Sequence, residues 1–278
     1  MNEVSYSAAP QLLAPGAFLS ASWRDVRVAP AVAWLLFVRE LRAGYRRHLL
    51  GYLWLALPPI ATALVWVALH EARVLRVGRT DLPYPLFVLT GITLWQLFVD
   101  ALNAPLQRLS SSRPILTRSR IPHEAFLLAG VLDVMFSFAV RMLILVPVFA
   151  WFSVIPTPAL LLAPVGVAAL LVLGFAIGLS LAPLGLLYPD VARGITVASG
   201  MLFFLTPVLY PLPATGQASA LRLLNPVAPL LTTTRQWLTG GSPHPAQGAA
   251  LVAVAAFAVL GAAWLSYRLA SPHLVARL

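Results

Sequence analysis

The sequence contains no cysteine and no lysine, and only nine acidic residues in 278. Without cysteine there is no disulfide, no thiolate nucleophile and no Cys-based metal site. Without lysine there is no Walker A loop, because that loop needs a lysine on the β/γ-phosphates. The chain is therefore not itself a P-loop ATPase. Charged residues make up 10% of it and hydrophobic residues 60%, where soluble domains carry roughly a quarter charged. With a mean hydropathy of +0.85, it cannot cover itself with a polar surface. The composition predicts an integral membrane protein, one membrane domain with room for about six helices of about 20 residues.

Other signatures are missing too. There is no HExxH, no GxSxG and no acidic pair in a loop that would hold Mg²⁺ for a transferase. The five histidines (His48, His70, His123, His244, His273) show no ligand spacing. No enzyme and no bound cofactor or metal is expected. The first thirty residues hold no uninterrupted apolar run, so no cleavable signal peptide is expected.

What is present is arginine, which supplies the whole formal charge of +10. It clusters beside apolar spans, which speaks for orientation and anionic lipid rather than nucleic acid. Residues 1–30 are broken by Pro10, Pro15, Gly16 and Pro30 and predict a loose cytoplasmic tail. Residues 31–50 predict an amphipathic helix lying in the membrane interface. Trp34, Phe37, Leu41 and Tyr45 share one face, with Arg39, Arg42 and Arg46 opposite. Apolar spans follow at about 51–70, 84–104, 125–152, 159–187, 194–210 and 248–267, and residues 269–278 form a tail. Pro58-Pro59 should bend the first span. The fourth is interrupted by Pro164, Gly174, Gly178 and Pro183. Residues 211–241 are too apolar for a free loop and too proline-rich for a span, which suits a re-entrant segment buried against protein.

Residues 108–124 form the longest polar stretch between two spans. Pro114 and Pro122 leave room for one short helix, and Arg108, Arg113, Arg118 and Arg120 mark it as cytoplasmic. It is either the place where an external motor pushes or a solvated loop whose arginines only set topology. Thirteen arginines fall on this side and five on the other, so six spans with both termini inside satisfy the tally. Asp100, Asp133 and Arg141 lie within spans, where each is costly. They read as a polar lining or charge relay, or as a structural ion pair. The aromatics Tyr52, Trp54, Trp95, Phe98, Phe203, Phe204 and Tyr210 serve either as interfacial anchors or as platforms for sugar rings.

Six motifs in order resemble the six-span ABC-2 permeases of the polysaccharide-export family, whose members export O-antigen, capsule or teichoic acid. These are 39–54 with Pro58, 90–98, 121–124, 188–191, 206–211, and Leu224-Asn-Pro226 with Arg235 nearby. The resemblance implies an all-α homodimer in the bacterial inner membrane, joined to two copies of a separate ATPase that holds ATP and Mg. It implies a lipid-linked polysaccharide as substrate. The coupling helix would span 113–124, seating Arg113, Ile115, Leu116, Arg118, Arg120, Ile121, His123 and Glu124 on the ATPase. Asp190 and Arg193 would make a second contact. Tyr52, Trp54, Trp95, Phe98, Arg141, Phe203, Phe204 and Tyr210 would line the path. Pro189 stands where the family usually has arginine. A permease for a small molecule or lipid, a proton-coupled carrier using Asp133 and Arg141, and an intramembrane transferase are the alternatives.

Overall fold

Apolar composition with little charge leaves helices as the economical way to satisfy a backbone away from water, and the described chain is all-α. The computed structural model describes residues 15–45, 54–55, 57–74, 78, 80, 82–112, 121–155, 157–211, 225–240 and 247–275. In chain order these form α1 (Pro15–Tyr45), α2 (Leu57–Glu71), α3 (Tyr84–Ser111) and α4 (His123–Trp151). A 3₁₀ turn (Pro158–Leu162) then leads into α5 (Ala163–Leu187), α6 (Asp190–Leu205), α7 (Val227–Thr239) and α8 (Gln247–Val275).

Four of these stretches are long and apolar enough to cross a membrane: α3, α4, the 3₁₀ turn with α5, and α8. They correspond to the expected second, third, fourth and sixth spans. α2 and α6, at 15 and 16 residues, fall short of the hydrocarbon thickness by themselves. Pro58 and Pro59 do not bend α2. They sit in its first turn, where an unbonded N–H costs nothing and the fixed φ suits the helix.

α3 is the hub, packed against α2, α4 and α5. Its Thr90 and Thr93 hydroxyls donate back to the Leu86 and Leu89 carbonyls at 2.7 and 2.8 Å, which hides them in an apolar setting. Against it lies α5, which is one continuous helix despite its glycines and Pro183. Those glycines are its contact surface. A Cβ at Gly174 would stand 2.6 Å from the Phe98 carbonyl oxygen, and one at Gly178 would stand 2.1 Å from that of Leu102. Only glycine lets the two backbones approach so closely, the small-residue packing expected where lipid offers no hydrophobic drive.

α1 corrects the expected loose tail: the helix starts at Pro15 and passes through Pro30 without ending. Its buried stripe is Ala29, Ala33, Leu36 and Phe37, so Trp34 points outward instead of sharing the packing face with Phe37. Small alanines allow the close approach that the indole would block. Asp25 and Glu124 meet on one arginine, and the Phe37 and Phe136 rings lie 6.0 Å apart. Each interval is twelve residues, about 18 Å of helix. α1 thus runs alongside α4, in the same direction.

Substituting Gly178→Ala should destabilise the protein by about 1–3 kcal/mol, the range for overpacking a tight core. Gly261, whose added Cβ meets nothing within 4 Å, should tolerate alanine at no cost. Thermal unfolding of the purified protein in detergent checks both.

Candidate functional site

The polar side chains gather in three places along the bundle. At the near end, where α3 finishes and α4 begins, Glu124 opens α4 just after the stretch 113–120. Arg268 of α8 donates to Glu124 Oε1 at 2.5 Å through Nη1 and to Asp25 Oδ2 of α1 at 2.6 Å through Nη2. Beside it the Tyr267 hydroxyl lies 3.1 Å from His123 Nδ1, and Ile121 and Pro122 are half-buried.

Further into the bundle, Arg108 of α3 forms ion pairs with both Glu40 of α1 and Asp133 of α4. Room for it comes from Gly130, where a Cβ would meet the Arg108 side chain at 2.9 Å. Deeper still, Arg141 of α4 donates to Asp100 Oδ2 of α3 at 2.6 Å and to the Leu55 carbonyl at 3.2 Å. Asp133 and Arg141 therefore belong to separate interhelical pairs, and a relay between the two is not formed. Both pairs open on a polar cleft of about 450 Å³, lined also by Asn103, Gln107, Ser111 and Ser137. On the other side of Arg141 lies an apolar pocket of about 200 Å³ between α2, α3 and α4, walled by Ile60, Leu64, Val67, Leu89 and Leu145.

At the far end, three of the sequence motifs converge. Asn225 caps α7, its side-chain oxygen accepting from the Val227 and Ala228 N–H groups at 3.0 and 3.3 Å, as an N-cap does. Its Nδ2 donates to Thr206 Oγ1 at 2.9 Å. Arg235 of α7 is buried and donates through Nη2 to the Pro207 and Val208 carbonyls, each at 3.0 Å. Its guanidinium carbon sits 3.9 Å from the centre of the Phe87 ring, a cation–π contact. Gly91 leaves the space, since a Cβ there would stand 2.2 Å from Arg235 Nη2. Residues of the motifs 90–98 and 206–211, with Asn225 and Arg235, thus build one junction.

The expected path residues divide. Trp95 and Phe98 are buried in the core, and Trp95 packs on Phe98 and Phe203 with ring centres 5.4 and 5.6 Å apart. Within one chain Trp95 and Phe203 bind α3 to α6, with Phe203 half-buried. Phe204 and Trp54 are exposed, and the Tyr210 hydroxyl donates to the Phe204 carbonyl. Asp190 and Arg193 do not form a loop. They occupy the first turn of α6 as an exposed pair at 3.1 Å, with the carboxylate where the helix dipole favours it. On α1, Arg39 and Arg42 are exposed. Arg113, Ile115, Leu116, Arg118 and Arg120 lie outside the described residues, as do Arg46, Tyr52, the Tyr45 side chain and 212–224.

The structure adds Asp25, Glu40, Arg108 and Arg268 as site residues. The signal for the first two was available: Asp25, Ala29, Ala33, Leu36 and Glu40 recur at near-helical spacing on one face.

Arg141→Gln should cost about 3 kcal/mol, the low end for breaking a buried pair, because it leaves Asp100 in the wall of the polar cleft without its partner. Asp100→Asn combined with Arg141→Gln should recover most of that loss. Thermal unfolding of the two variants in detergent measures the difference.

Comparison with known proteins finds no matching family model. Individual proteins do match. An O-antigen export system permease protein RfbA from Myxococcus xanthus is 30% identical over 202 residues, 71% of this chain and 76% of that protein. An RfbA of the same description from Klebsiella pneumoniae is 22% identical over 73% of this chain and 78% of its own length. A polysialic acid transport protein KpsM from Escherichia coli is 22% identical over 81% and 87% respectively.

Proposed function

The chain belongs to the ABC-2 family of polysaccharide-export permeases, and from that premise we propose that it is the membrane half of an ATP-driven exporter for a lipid-linked surface glycan of the O-antigen or capsule type. It is the transmembrane subunit of a polysaccharide exporter. The observation that carries this reading is the match to an O-antigen export permease over 76% of that protein's length.

In the proposed assembly two copies of the chain form the pore, and each seats the segment 113–124 on one copy of a separate P-loop ATPase. With no lysine of its own, the chain needs such a partner for ATP chemistry. α2 and α6 serve as the first and fifth spans, each lengthened by its flanking residues. Six crossings then leave both termini in the cytoplasm of a bacterial inner membrane. The near end, with Arg108, Glu124 and Arg268, faces the ATPase. The far end, with Arg235 and the α7 junction, is the outer mouth. Segment 211–241 supplies re-entrant helices there, α7 among them. The polar cleft lies in the inner half of the bundle, where a headgroup or the first sugars would pass, and the apolar pocket lies beyond it.

The support is the pattern of charge. The sequence tally of thirteen arginines on the expected cytoplasmic side against five on the other satisfies the positive-inside rule, and four of the thirteen fall between residues 108 and 120. Asp133 and Arg141 do not favour a proton-coupled carrier, since each is already paired to a different residue.

Purification of the tagged protein in mild detergent should bring down a stoichiometric P-loop ATPase, identified by mass spectrometry. Arg118→Ala combined with Arg120→Ala should cut surface glycan by about tenfold or more, the scale on which a hot spot of charged contacts acts. Membrane insertion of that variant should be normal. A normal amount of surface glycan in that variant would remove the segment's assignment, and reproducible absence of an ATPase would remove the exporter.

A further inference from the structure

The undescribed stretch 113–120 is bracketed by two arginine-centred triads built to the same plan. Before it, Arg108 of α3 lies between Glu40 of α1 and Asp133 of α4. After it, Arg268 of α8 lies between Asp25 of α1 and Glu124 of α4. Each triad takes one carboxylate from α1 and one from α4, and each arginine is largely withdrawn from solvent, at 13% and 12% side-chain exposure. The two α1 carboxylates lie fifteen residues apart, about 22 Å along the helix. Between them Ala29, Ala33, Leu36 and Phe37 are buried, and Phe37 touches Phe136 of α4.

We propose that Arg108 and Arg268 are positioning residues of the coupling step, clipping α1 to α4 at both roots of the segment that meets the ATPase. This deepens the exporter reading and rests on it. A push on 113–124 then moves α1 and α4 together as one body, and α1 carries the displacement to the start of α2. The chemistry makes the arginine the sensitive member. Each triad holds two carboxylates against one guanidinium. Removing Glu40 frees α1 and leaves Arg108 on Asp133, whereas removing Arg108 frees both carboxylates and leaves Glu40 only the exposed Arg39 at 3.7 Å.

The experiment uses cells deleted for the gene and complemented with the full-length chain, scored for surface glycan, for membrane level and for ATPase activity of the purified complex. Arg108→Gln should lower export about tenfold or more while ATP hydrolysis continues, the signature of lost coupling. Glu40→Ala, which removes the α1 end of the same clip, should lower export in the same way, and adding it to Arg108→Gln should lower export no further. Normal export in Glu40→Ala, or a further loss in the double variant, would overturn the clip. The cysteine-free sequence permits a second test that does not depend on Arg108→Gln reaching the membrane. In Phe37→Cys with Phe136→Cys, joining α1 to α4 with a short bis-maleimide should leave export intact if they move as one body. Loss of export on cross-linking, with the uncrosslinked pair active, would overturn the proposal. If deletion of the gene leaves surface glycan unchanged, the exporter reading fails instead, and the two failures are told apart.

Discussion

A guanidinium cannot be left unmet in an apolar slab, and this constraint orders the structure from one end to the other. Arg141 and Arg235 are buried, and Arg108 and Arg268 nearly so. Each has been met in the way its depth allows, with the Nε of Arg235 alone of the four left buried and without a hydrogen-bond partner among the described residues. Arg268 and Arg108, toward the near end, take two carboxylates apiece. Arg141, near the middle of its helix, takes one carboxylate and a backbone carbonyl. Arg235, at the far end, takes two carbonyls and an aromatic face. Negative charge around the arginines thins out from the near end to the far end. A site that must stay closed to water can hold a cation on dipoles and a ring, while a site near the aqueous face can use carboxylates that still reach solvent.

These contacts specify which helices meet but supply little packing by themselves. The close approach comes from the seam between α3 and α5, where glycines bring one backbone within contact of the other. A polar clip on a loosely packed pair would be wetted and weak. The rigid α3–α5 pair gives Arg108 a fixed base, and Arg108 in turn holds α4 and α1. Packing sets the frame, and charge then sets the register of the helices added to it.

Much of the architecture was legible in the sequence because long apolar runs have one physical outcome. The spans at 84–104, 125–152, 159–187 and 248–267 became α3, α4, α5 and α8 with small shifts in their bounds. What sequence reasoning misread shares a cause. Proline and glycine were taken as breaks, yet Pro58-Pro59 start a helix, Pro30 lies within one, and Gly174 and Gly178 form a contact face. Each effect depends on what stands opposite the residue, which composition does not carry. Ion pairs between helices were among the readings and are present, but which residues pair was not legible, for the same reason. Asp133 and Arg141 lie two turns apart on one helix and invite pairing, but their partners sit on α3. The aromatic rings Trp95 and Phe98, read either as anchors or as sugar platforms, are buried within this chain, since one chain's helix faces cannot be told apart by hydropathy when all of them are apolar.

The division of the polar groups between the two ends bears on how a passage could open. At the far end the 206–211 turn, α7 and the start of α3 are held by the Arg235 and Asn225 side chains, which bond mainly to backbone groups, so one partner of most of these bonds is fixed in place. At the near end the ties run between side chains on four helices, and such contacts can lengthen or exchange partners as helices tilt. The outer junction is thus built to keep its shape and the inner one to pass on a displacement. α2, short and packed mainly on α3, lies between them and flanks the apolar pocket that ends on Arg141. A movement of α1 and α4 together would shift one wall of that pocket, since Ile144, Leu145 and Val148 of α4 line it, while the glycine seam between α3 and α5 lies on neither moving helix.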